Sequence, residues 1–133
     1  MRPDVSVVIP TYNRRSMVQE AIESCFAGND EIDVEVVVVD DGSTDGTQDY
    51  LKGIDDERVR PIFQEHQGAQ VARNKGQDAA RGRALKHLDD DDHLLPGKLT
   101  AEFRRLKESE ADVCYAHFYK WDLAADRRWL FEN

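Results

Sequence analysis

Long apolar runs are missing from this chain: nowhere do about 18 apolar residues follow one another, so no transmembrane helix is expected. Met1 leads straight into a strand-like segment, without the basic and apolar regions of a secretory leader, and no signal peptide is expected. Cysteine is scarce. Cys25 and Cys114 stand far apart in apolar surroundings, with none of the C-x-x-C spacing of a zinc site. They read as buried free thiols, which fits a reducing, cytoplasmic setting better than secretion. Also absent are a P-loop, a G-x-G-x-x-G following a strand and a G-x-S-x-G elbow, which sets aside three common nucleotide- or ester-handling designs. Positive charge is in deficit, with 18 Lys and Arg against 27 Asp and Glu and a net charge of −9. Such a chain repels phosphate backbones, so nucleic acid is not an expected partner. A single nucleotide remains compatible, provided that a divalent cation sits between it and the acidic groups.

What is present suits one domain spanning residues 1–133: 40% hydrophobic residues, 34% charged residues, and no repeat or linker. Val5-Ser6-Val7-Val8-Ile9 is a β-branched run stopped by Pro10, and reads as a buried strand. A helix is expected from about Arg14 to Ala27, with Met17, Val18, Ala21, Ile22, Cys25 and Phe26 at helical spacing and Asn13 as its cap. Val34 to Val39 is the strongest strand. Asp40-Asp41-Gly42-Ser43 turns after it, and a second helix is expected to start at Ser43 or Thr44. Val59 to Phe63 reads as a third strand, and Gln67-Gly68 opens a third helix through Ala80. A fourth strand over 84–88 is weakened by Lys86 and His87. A helix from Lys98 to Ser109 and a fifth strand over 113–116 complete the order, and the 121–129 stretch reads as core or interface packing. Alternating strands and helices imply an α/β fold with an open, mostly parallel sheet and helices on both faces.

Ligands of such sheets sit beyond the carboxyl ends of the strands. Three polar segments fall there: Pro10-Thr11-Tyr12-Asn13, Asp40 to Ser43, and Asp89-Asp90-Asp91-Asp92. The acidic run offers hard oxygen ligands suited to Mg²⁺ or Mn²⁺, although alone it reads equally as a solvated turn. Four like charges in a row also call for a nearby cation. Asp40 can accept a hydrogen bond from a base or ribose, with Asp41 the turn residue, while Asp-Gly-Ser is also ordinary turn chemistry. Tyr12 can stack on a base. Arg14 and Arg15 oppose the helix dipole and read as solvated surface. Arg73, among the small residues Ala69, Ala72 and Gly76, can reach a diphosphate, whereas Lys75 reads as surface. His66, His87, His93 and His117 form no recognisable metal set. A phosphatase would want an aspartate where Pro10-Thr11 stands, and a nucleotidyltransferase a Gly/Arg-rich loop there.

Val5 through Arg14 resembles the opening of family 2 glycosyltransferases of the GT-A fold, and Val37 through Thr47 is similar to their second signature. Gly68, Ala72-Arg73-Asn74, Gly76 and Gly82 resemble the third. Leu88 through Asp92, with Leu95-Pro96 and Lys98-Leu99, resembles the D-x-D region. The resemblance implies a nucleotide-diphospho-sugar donor, with UDP as the expected nucleotide, and Mn²⁺ or Mg²⁺ as cofactor. It implies hexosyl transfer to an acceptor hydroxyl on a carbohydrate, lipid-linked or protein acceptor, as in polysaccharide biosynthesis. By the same resemblance, Pro10, Thr11, Tyr12 and Asp40 line the nucleoside pocket and Arg73 lies near the diphosphate. Asp89 and Asp91 bind metal, Asp91 most directly, and Asp89 and Asp90 face the ribose or sugar. Asp92 matches an acidic position that often follows the motif. The acceptor half and the catalytic base of the family lie beyond the position of Asn133, so no base is expected here. The chain then reads as the donor part of a longer enzyme, with a binding module without turnover as the alternative, with a surface open to self-association and a full-length protein at the cytoplasmic face of a membrane.

Overall fold

The computed structural model of the chain describes residues 2–114, 118–122, 124 and 127–131. By their internal contacts the residues divide into two compact units, 1–100 and 101–133. The first unit holds four parallel strands in the order β3-β2-β1-β4, where β1 is Val5–Thr11, β2 is Val34–Asp40, β3 is Val59–Phe63 and β4 is Ala84–His87. Its helices are α1 (Arg15–Phe26), α2 (Thr47–Lys52) and α3 (Ala69–Ala79), each following one strand, and α4 (Lys98–Ser109) begins in it.

Every residue of β1 and β2 is buried. Val8, Val37 and Val39 lie together with Ala72 of α3, while the alternate residues Val7, Ile9, Val36 and Val38 are equally inaccessible on the opposite face. Burial on both faces explains why these strands read as unbroken β-branched runs rather than as alternating patterns. Helix α3 approaches closely through Gly76, where a Cβ would stand 2.4 Å from Val8 Cγ1 and 3.1 Å from Val39 Cγ2. Helix α1 packs against β2 and buries Val18, Ala21, Ile22 and Cys25.

β4 pairs with β1 over Ala84–His87 and is an edge of the sheet among the described residues. Leu85 and His87 are exposed there, so a polar sequence is tolerated where it would not be in β1. The opposite end of the sheet from the strand tips is tied by buried Glu35. Its carboxylate accepts from Ser6 Oγ (2.5 Å), Arg81 N (2.6 Å) and Arg60 Nη1 (2.9 Å). Buried Asn29 joins two helices: its Nδ2 donates to Cys25 and Ala27 carbonyls at the end of α1, and its Oδ1 accepts from Thr100 N and Oγ1 in the first turn of α4.

Several local expectations are corrected. Asn13 does not cap α1, whose cap position is Arg14, without a side-chain cap bond. Asn13 adopts φ 51° and is drawn to the next loop, where its Oδ1 accepts from Thr44 N (2.7 Å) and its N donates to Ser43 Oγ (2.8 Å). Helix α2 starts at Thr47 rather than at 43 or 44, because Gly46 at φ 96° interrupts the chain and Asp45 Oδ1 accepts from Thr47 N and Oγ1. Cys114 is half-buried, while Cys25 is fully buried as expected. The strand expected over 113–116 lies partly outside the described residues, and Val113 and Cys114 are not in a strand. The second unit contains instead an antiparallel hairpin, β5 (Phe118–Asp122) with β6 (Arg127–Phe131), in register from Phe118↔Phe131 to Asp122↔Arg127.

Candidate donor and metal site

Parallel pairing in register sets Thr11, the last residue of β1, beside Asp40, the last of β2. The bond from Leu88 N to Val8 O carries the chain past β4 along β1, which brings the acidic run to the same rim. Thr11 Oγ1 then donates to Asp90 Oδ2 at 2.9 Å. The three segments singled out by sequence are thus joined at one end of the sheet, as open α/β sheets require of a ligand site.

Asp40 is completely buried. Its Oδ2 accepts from Ser43 N (3.0 Å) and Gln48 Nε2 (2.9 Å), while its Oδ1 has no hydrogen-bond partner among the described residues. A buried carboxylate oxygen left without a donor is costly and calls for a donor that the described residues do not supply, and Gln64 Oε1 stands in the same condition. Asp41 points elsewhere. It accepts from Gln64 Nε2 (2.8 Å), Gln67 N (2.8 Å) and Gly68 N (3.1 Å), and lies 2.9 Å from His66 Nδ1. Its burial alone would push the carboxyl up, but these donors outweigh burial and hold it below the ordinary range. Asp40 and Asp41, adjacent in sequence, therefore divide their work: Asp40 fastens Ser43 and, in α2, Gln48, and Asp41 holds the start of α3.

Tyr12 is exposed and stacks on His66, ring centres 4.3 Å apart at 27°. Pro10 is buried within β1 and has no N–H to donate. Asp89, Asp91 and Asp92 are exposed, and each presents a carboxylate oxygen within 4.8 Å of the others. This all-oxygen set fits a hard divalent cation such as Mg²⁺ or Mn²⁺. Asp90, the middle residue, is buried, and both its oxygens are engaged, Oδ2 by Thr11 and Oδ1 by Arg14 Nη1 (3.0 Å). Desolvation raises the Asp90 carboxyl, opposed by the Thr11 hydroxyl and the Arg14 charge. The Asp92 carboxyl is raised by partial desolvation and by Asp91 and Asp89.

The cation that the acidic run demands is present twice. Arg14 Nη1 spans Asp90 and Asp91 (3.1 Å to Asp91 Oδ2), and Arg73 Nη2 meets Asp89 Oδ1 at 3.0 Å. Arg73, which the sequence offered for a diphosphate, lies against the first carboxylate of the run. Arg14 had read as solvated surface; the signal that could have placed it was its unfavourable charge in the first turn of α1. Gln48, Gln64 and His66 were not singled out for the site either, since nothing in their sequence context links them to Asp40 or Asp41. His93 pairs with Glu20 at 3.2 Å.

The four-stranded parallel sheet with its helices is an α/β fold of the GT-A type, as in S. aureus TarS. Residues 6–133 match the family model described as glycosyl transferase family 2, and the chain belongs to that family. It is 36% identical over 84% of its length to the GalNAc(5)-diNAcBac-PP-undecaprenol beta-1,3-glucosyltransferase of Campylobacter jejuni, covering 37% of that protein. It is 41% identical over 84% of its length to the succinoglycan biosynthesis protein ExoO of Rhizobium meliloti, covering 32% of it. Among solved structures, S. aureus TarS 1–349 in complex with UDP-GlcNAc superposes with a TM-score of 0.71 at 28% identity, covering 82% of this chain and 32% of TarS 1–349. The chain thus spans about a third of the length of these proteins.

Proposed function

We propose that this chain is the donor-binding part of a metal-dependent glycosyltransferase that passes a hexosyl group from a UDP-sugar to an acceptor hydroxyl. The observation that carries this reading is Asp40, a wholly buried carboxylate with one unpartnered oxygen at the strand tips. Uracil presents an imide N–H, which a carboxylate accepts; cytosine has a bare ring nitrogen at that position and is disfavoured. Tyr12 supplies an aromatic face for the base. TarS in complex with UDP-GlcNAc supports the same donor class.

In the transfer, the acceptor oxygen bonds to the anomeric carbon as the bond from that carbon to the diphosphate oxygen breaks. The nucleoside diphosphate leaves with the electron pair, and the hydroxyl proton is lost to a base that we assign to no residue of this chain. Asp91, with Asp89 and Asp92, would hold Mn²⁺ or Mg²⁺, which supplies charge neutralisation to the departing diphosphate. Arg73 adds a guanidinium directed to the same anion. Thr11 and Arg14 hold Asp90 below the rim, so the loop carrying the metal carboxylates is braced before a ligand arrives. The relatives named for an undecaprenol-linked product and for succinoglycan support a lipid-linked or polysaccharide acceptor. A cytoplasmic location follows from the same reading, supported by the free, buried Cys25 thiol.

The test is calorimetric titration of UDP, UMP and CDP onto the chain with and without Mn²⁺. UDP is expected to bind best and to need the metal, and Asp91→Ala is expected to remove the metal requirement together with most of the affinity. Binding that is indifferent to both Mn²⁺ and Asp91→Ala would overturn the metal role. Equal affinity for UDP and CDP would overturn the assignment of Asp40 to the base.

A further inference from the structure

The guanidiniums on the acidic run are placed on the residues that the preceding reading gives to the metal, and this inference rests on that reading. Arg14 Nη1 lies 3.1 Å from Asp91 Oδ2 and 3.0 Å from Asp90 Oδ1 through the same nitrogen. The two aspartates are not equivalent. Asp90 is buried and is also held by Thr11, whereas the Asp91 side chain is 49% exposed. The Arg14 side chain is 48% exposed, anchored at one end by the start of α1 and held at the other only by these two carboxylates. Its charge is held chiefly by Asp90, with Asp91 the lesser attraction, opposed by desolvation.

We propose that Arg14 is a displaceable internal cation: it occupies Asp91 until a divalent ion arrives, and its freed guanidinium then joins the donor's diphosphate. The electrostatics run in one direction. A divalent ion on Asp91 both takes the carboxylate oxygen and repels the guanidinium beside it. Asp90 retains its bond from Thr11, so the loop does not come loose when Arg14 turns. A diphosphate arriving at the metal offers the guanidinium a pair of phosphoryl oxygens for bidentate bonding in exchange for the carboxylate it has lost. Arg14 thereby opposes metal binding in the empty site and favours it in the nucleotide-loaded one, which makes metal and nucleotide mutually dependent. Arg73 on Asp89 faces the same exchange at the other end of the run, but it meets one carboxylate and bridges none.

The test uses the full chain and Mn²⁺ alone, titrated by electron paramagnetic resonance, for wild type, Arg14→Gln and Arg14→Lys, and then repeated at saturating UDP. Circular dichroism checks that each variant is folded. Arg14→Gln is expected to bind Mn²⁺ alone roughly three- to fivefold more tightly, the range for loss of one partly exposed ion pair. The tightening of Mn²⁺ binding by UDP is expected to shrink in that variant. Arg14→Lys keeps the charge and is expected to track wild type for the metal alone. Unchanged or weaker Mn²⁺ binding in folded Arg14→Gln would overturn the role of Arg14 while leaving the metal site standing. Absence of Mn²⁺ binding in wild type would overturn the metal site itself, and the role of Arg14 with it.

Discussion

Two adjacent aspartates show how little residue type alone decides. Asp40, the last residue of β2, is wholly buried and accepts from Ser43 N and Gln48 Nε2; Asp41, one residue on, is turned to the backbone amides that open α3. Asp40→Asn is therefore expected to leave the fold intact and to weaken UDP binding by about tenfold or more, the worth of one charge-assisted hydrogen bond, as measured by calorimetry. Asp41→Ala is expected to act on stability, by about 1–3 kcal/mol in urea denaturation, because three donors lose their acceptor. The pH dependence has a definite sign. The folded carboxyl of Asp41 lies below its ordinary value, since its donors outweigh the upward push of burial. The unfolded chain thus binds the proton more readily, and the stabilisation is complete above the unfolded pKa of about 3.9. It is lost as pH falls through the folded value. Urea midpoints taken from about pH 6 down to about pH 3 should fall less steeply in Asp41→Asn than in wild type.

At the scale of elements, the strands were legible because β1 and β2 are buried on both faces and therefore carry continuous Val and Ile. Helix α3 was legible for a related reason: Ala72 and Gly76 are small where the helix meets the sheet. Gly76→Ala is expected to cost about 1–3 kcal/mol, since its methyl group would meet Val8 and Val39, and thermal denaturation would register the loss. Asn29 reads in the sequence only as part of a helix-ending Gly-Asn-Asp, yet it binds the end of α1 to the first turn of α4 through both ends of its amide. Asn29→Ala is expected to destabilise by about 2–3 kcal/mol, more than an exposed helix stop would. Loop contacts of this kind escape sequence reading because they join residues far apart in the chain. Asn13 is the clearest instance: its composition suits a cap, but the neighbouring loop offered Thr44 N, and tertiary competition won.

For the molecule as a whole, a chain of net charge −9 concentrates negative charge at the rim where an anionic donor is proposed to bind. Arg14, Arg73 and a divalent ion make that compatible. Mn²⁺ with UDP is expected to raise the unfolding free energy by about 2.7 kcal/mol at a ligand concentration about a hundredfold above Kd, and EDTA to abolish the gain. Differential scanning fluorimetry of wild type and Asp91→Ala provides the check, with the variant expected to show little response to Mn²⁺.

By itself the sequence determined the alternation of strands and helices, the two fully buried strands, and the three polar segments at the strand ends, because burial and turn chemistry act on neighbouring residues. The family signatures followed from the same local patterns. Only the tertiary structure decided that Asp40 keeps a buried oxygen without a donor, that Asp90 is held by Thr11, and that Arg14 lies across Asp90 and Asp91. Each of these depends on parallel pairing that carries residues 11, 40 and 90 to one rim, and on the direction in which a side chain leaves the backbone there. Register and side-chain direction are settled by packing between distant segments, which no local pattern encodes.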